Sequence, residues 1–64
     1  MKLNSFISVI DCDETVHITN GDTFMFHGTI GDAYRKLPED YLKNARVIYV
    51  RTLLGALNIE AYVE

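Results

Sequence analysis

The side chains best suited to nucleophilic, acid–base or metal chemistry crowd the first 27 residues: Asp11, Cys12, Asp13, Glu14, His17 and His27. Two aspartates one residue apart can divide the labour of a hydrolysis, one as a carboxylate nucleophile and the other as general acid and base. A nucleophilic thiolate needs a positive neighbour, and Asp11, Asp13 and Glu14 give Cys12 only negative ones. Cys12, His17 and His27, with Asp13 as a fourth donor, form the ligand set of a tetrahedral zinc site, but no recognised zinc spacing joins them. A calcium loop begun at Asp11 needs Gly at its sixth position and Glu at its twelfth, where the chain has Val16 and Asp22. No metal and no cofactor is expected.

The stretch Asp11-Cys12-Asp13-Glu14-Thr15-Val16 follows the apolar run Phe6–Ile10. In this it resembles the nucleophile motif of the haloacid dehalogenase phosphatases. The resemblance implies Asp11 as the attacking group, Asp13 as the proton carrier, and a doubly wound parallel sheet around them. It covers six residues. The family's later acidic pair for magnesium has no counterpart, since Asp22 and Asp32 stand as single acids. Gly28 and Gly31 have no Lys-Ser/Thr after them, so no phosphate-cradling loop is present either. A loop rich in aspartate also satisfies free backbone groups at a turn. DCDE is therefore expected to be a turn, and the chain not to be an enzyme.

The elements that must position these residues are those of one small domain spanning 1–64. Residues 6–10 and 15–19, rich in Ile, Val, Phe and Thr, read as strands joined by DCDE. Asn20-Gly21 signals a second hairpin. An odd-length loop there places Val16 and Ile18 beside Phe24 and Phe26, completing a three-stranded meander with core residues Ile7, Val9, Val16, Ile18, Phe24 and Phe26. Thr29 with Asp32 resembles a capping box. Ile30, Ala33, Tyr34, Leu37, Tyr41 and Ala45 recur at helical steps, and Pro38 divides them into helices over roughly 30–36 and 38–44. Arg46–Thr52 and Leu57–Val63 read as a C-terminal hairpin. The expected fold is α+β, antiparallel β-β-β-α-β-β, either one sheet or a small partly open barrel.

Net charge is −3, with five of the six basic residues between positions 35 and 51. That balance argues against generic nucleic-acid binding. A lone cysteine suits a reducing, cytoplasmic setting, and no apolar run reaches the ~18 residues of a membrane span.

The leading expectation is a non-catalytic protein-interaction module, self-associating through Leu53 and Leu54 at an apolar hairpin tip. The back of the meander, including Phe6, Met25, His17 and His27, adds a mixed surface for a protein partner. An acidic inhibitor of a nucleic-acid enzyme, presenting Asp11, Asp13, Glu14 and Asp22 as phosphate mimics, is the alternative. Nucleic-acid binding through Arg35, Lys36, Lys43, Arg46 and Arg51, with Tyr34 or Tyr49 stacking, ranks last.

Overall fold

The computed structural model describes residues 1–63. Among them the elements run α1 (Leu3–Ile7), β1 (Thr15–Asn20), β2 (Thr23–Thr29), α2 (Ile30–Lys36), α3 (Glu39–Asn44), β3 (Arg46–Leu53) and β4 (Ala56–Tyr62). The four strands form one open sheet in the order β2-β1-β4-β3. The α+β class stands as expected, but the sheet is mixed: β1 and β4 run parallel at its centre, flanked by the two antiparallel hairpins. The segment α2–α3 therefore links the two outer strands, and the C-terminal hairpin joins the first sheet instead of closing a barrel.

The first expected strand is a helix. Leu3, Phe6, Ile7 and Ile10 follow the i, i+3, i+4, i+7 spacing of a helix face; Leu3 and Ile7 are fully buried, and Phe6 and Ile10 pack against the core. Val9, expected inside, is 81% exposed. The β-branched residues of this stretch favour strand locally, but the tertiary benefit of burying one helical stripe prevails. The meander is accordingly a two-stranded hairpin preceded by a short helix.

The expected helical break is present. Thr29 caps α2 by accepting a hydrogen bond from the Asp32 amide at 3.3 Å, and Leu37, before Pro38, is extended. Glu39 and Asp40 open α3 and Lys43 lies in its last turn, each sign complementing the helix dipole. The helices cover one sheet face, with Ile30, Ala33, Leu37, Tyr41 and Leu42 packed on Val16, Ile18, Phe26, Ile59 and Ala61. Burial of roughly 1.5–3 kcal/mol per large apolar side chain makes this the main source of stability.

Among the described residues one polar side chain bridges that interface. The Tyr41 hydroxyl donates to the Ala61 carbonyl at 2.6 Å and lies 3.3 Å from the Thr19 carbonyl. It thus ties α3 to the C-terminal ends of both β1 and β4. Desolvation by burial, helped by the nearby Glu60 charge, pushes its pKa up to about 12.

Register in β2 is decided by a bulge. Asn20 pairs with Thr23 across the two-residue turn Gly21-Asp22, and the shift between Ile18 and Thr19 leaves Met25 as the extra residue. Ile18 then meets Phe26 in the core; the turn has two residues instead of the expected odd number, and the bulge supplies the odd offset. Phe24 meets Thr19 on the opposite face and is 59% exposed. Its expected place in the core is corrected by the bulge, which reverses side-chain alternation at one point.

Candidate functional site

The acidic turn has a backbone task. The Asp13 amide donates to Asp11 Oδ1 at 2.9 Å, and the Glu14 amide to the Asp11 carbonyl at 3.0 Å. The turn's carbonyls then serve α2: Ile30 N–H donates to Glu14 O and Gly31 N–H to Cys12 O, each at 3.0 Å. With the Thr29 cap, three helix N-terminal donors that would otherwise lack partners are satisfied. Asp11, Cys12, Asp13 and Glu14 are all exposed and follow a helix, whereas the phosphatase motif follows a strand. Asp11, Asp13 and Glu14 precede β1, and Asp22 lies in the turn beyond its other end. The four carboxylates of the expected acidic face are not brought together.

The basic residues are also dispersed. Arg35 pairs with Asp32, and Lys43 with Glu39 at 3.1 Å. Lys36 ends α2, while Arg46 and Arg51 stand near opposite ends of β3. Lys2, Asn44, Arg46, Ile48, Tyr62 and Val63 line an open cavity of about 320 Å³ at one corner of the sheet.

The sheet face opposite the helices is open. His17 and His27 share that face, as expected; the bulge further makes them direct partners, with Nδ1 atoms 3.4 Å apart. The Phe24 ring tilts against His17 at a centroid separation of 5.3 Å. Beside them a shallow groove of about 240 Å³ is lined by His17, Thr19, Tyr49, Arg51, Asn58 and Glu60. Phe6 and Met25, expected on this face, instead pack against the core from α1 and from the β2 bulge.

The most apolar exposed region is the β3–β4 hairpin. Ile48, Tyr49, Val50, Leu53, Leu54 and Tyr62 are all exposed. β3 is an edge strand. Its first two residues are covered by the N-terminus, through a bridge from Lys2 to Arg46 and a Val47 N–H bond to Met1 O at 2.9 Å. Ile48 is bulged between Val47 and Tyr49. From Tyr49 to Leu53 the edge carries backbone groups with no strand of the described residues beside them.

At the tip, Leu53 pairs with Ala56 around Leu54-Gly55. Leu54 has φ 54° and Gly55 φ 79°, the positive pair of a type I′ turn, which favours Asn-Gly or Asp-Gly. Leu54 is the sole non-glycine residue at positive φ among the described residues, and it is 97% exposed. Neither leucine folds back onto the core.

Leu53 and Leu54 are visible from sequence as an apolar tip and Tyr49 as a stacking surface residue; Ile48, Val50 and Tyr62 are not marked as surface. Their signal is the continuous run Val47-Ile48-Tyr49-Val50 between two arginines. An outer strand has no neighbour to bury both of its faces, so such a run must expose half of itself. Among the described residues no helix is long and apolar enough to cross a membrane. Comparison with protein-family models, curated proteins and solved structures finds no match.

Proposed function

We propose that this chain is a non-catalytic interaction module whose partner is a second copy of itself, joined along the free edge of β3 and the Leu53–Leu54 tip. The observation that carries this reading is Leu54. A bulky residue in the left-handed region costs roughly 1–2 kcal/mol, and full exposure of its side chain adds no compensating burial. Backbone strain of this kind persists where function needs it. A second molecule covering the leucine supplies that need.

Self-pairing suits the edge. Two identical strands meet antiparallel across a twofold axis, each offering the same patch to the other. A twofold axis at Val50 sets Tyr49 of one copy opposite Arg51 of the other, twice. This permits cation–π contact and keeps the arginines from facing each other. About that axis Tyr49 to Arg51 of each copy pair on the free edge, and with the apolar tip they make a small interface, so a dissociation constant on the order of micromolar is expected.

An exposed, free Cys12 thiol supports a reducing compartment, and we read the location as cytoplasmic. Sedimentation velocity over a concentration series tests the assembly. A dimer that Leu53→Ser/Leu54→Ser returns to monomer is the expected result. A wild-type protein that stays monomeric at every concentration removes the proposal.

A further inference from the structure

We infer that His17 and His27 form a two-ligand site for a divalent transition metal of the zinc type, on the open face of the sheet. The two residues are register partners across β1 and β2, so the backbone ladder sets their separation. The Met25 bulge creates that pairing. Counted from the turn without a bulge, His17 would face Phe26; the extra residue brings His27 opposite it.

The distance matches the chemistry. Two imidazole nitrogens bound at about 2.0–2.1 Å to one tetrahedral zinc stand roughly 3.3–3.4 Å apart. His17 Nδ1 and His27 Nδ1 stand 3.4 Å apart. Adjacent positions of a square-planar ion at the same bond lengths would need about 2.9 Å. The observed separation is also long for a direct N–H···N hydrogen bond, whereas two donors sharing one ion need no closer approach. Both rings present the same atom, Nδ1, to the shared point, and their planes meet at 63°. Phe24 flanks His17 on one side.

Imidazole selects for zinc, copper and nickel over magnesium and calcium, which prefer oxygen donors. The protein provides two donors at this point, so the other coordination positions are open to water or to a donor from a partner. A site with two protein ligands holds metal less tightly than a closed four-ligand site. The acidic turn at Asp11, Cys12 and Asp13 is a separate group of donors, with ligand atoms within 4.8 Å of one another. It is the natural competitor for any added ion.

Zinc titration followed by the ring-proton NMR signals of the two histidines distinguishes the sites in the wild-type protein. Saturable shifts of both His17 and His27 signals at micromolar metal are expected. His27→Ala should weaken binding at least tenfold, while Cys12→Ser leaves it unchanged. Histidine signals that do not move overturn the inference. So does binding that survives His27→Ala and is lost in Cys12→Ser, which would assign the metal to the acidic turn.

Discussion

The β1–β2 hairpin turns through Asn20-Gly21-Asp22-Thr23, with positive φ at Gly21; the β3–β4 hairpin turns through Leu53-Leu54-Gly55-Ala56, with positive φ at Leu54 and Gly55. The first turn places a glycine where a glycine is needed and surrounds it with polar residues. The second places leucine where asparagine would relieve strain and improve solubility. The surroundings differ in the same sense. The β1–β2 hairpin is covered on one face by α2 and the core, whereas β3 is exposed at nearly every position and has a bare edge beyond Val47. Local rules are obeyed where the chain serves its own fold and are broken where it faces outward. Violations of that kind mark places where something other than monomer stability decides the residue.

The largest effect is expected on association. Burying a leucine is worth about 1.5–3 kcal/mol, so changing both Leu53 and Leu54 to Ser should weaken the dimer by roughly 100-fold. Sedimentation or dilution calorimetry reads this directly. The matching change in the other turn, Asp22→Ser, should leave the association constant alone. If both substitutions acted equally, the contrast between the hairpins would not concern assembly.

Within the covered hairpin the largest cost falls at Gly28. Its φ is 156°, and a Cβ there would come within 2.9 Å of the buried Phe26 ring. Gly28→Ala should destabilise the fold by about 2 kcal/mol, from backbone strain and overpacking together, measured by urea denaturation. No comparable clash exists in the second hairpin, where a Cβ at Gly55 meets nothing within 4 Å.

A crossed experiment sharpens the comparison at the scale of about 1 kcal/mol. Leu54→Asn should raise monomer stability by about that amount, because asparagine tolerates positive φ, while association falls. Gly21→Ala should lower stability by a similar amount, from the backbone alone, since the space around Gly21 is empty. Thermal melts of dilute protein separate monomer stability from assembly. Stabilisation by Leu54→Asn with unchanged association would leave the strained leucine without a role.

How much of this was legible depended on which signal dominated each segment. The break at Pro38, the Thr29 cap, the last hairpin and the placing of His17 and His27 on one outer face all rest on local chemistry, and all appear in the structure. In the first ten residues the β-branched composition points to a strand while the period points to a helix: Leu3, Phe6, Ile7 and Ile10 spell a stripe that Val9 does not join. The sequence carries no mark for the bulge at Met25 that turns Phe24 outward. The parallel seam between β1 and β4 was invisible for a different reason. It joins segments some forty residues apart, and no hairpin turn specifies it. On the candidate surface the tip was visible as composition, but Leu54's backbone strain, the bare edge of β3 and the 3.4 Å histidine spacing arise only from tertiary register.

That seam is where the two hairpins become one sheet, and Tyr41 is the polar group that spans it. Its hydroxyl meets a carbonyl from each hairpin, Thr19 in β1 and Ala61 in β4. Tyr41→Phe keeps the ring and leaves these acceptors with one partner fewer, at a cost of about 1 kcal/mol. The pH dependence reports how far the fold buries this hydroxyl. The folded-state pKa is raised to about 12 from the ordinary 10.0, by burial first and by Glu60 second. Between those values the folded protein keeps a proton that the unfolded chain has released, so stability must fall as pH rises from 10 towards 12. Below pH 10 the contribution is fully present. Denaturation midpoints of wild type and Tyr41→Phe should therefore converge across that alkaline window. Parallel curves would mean that the hydroxyl is not buried at the seam.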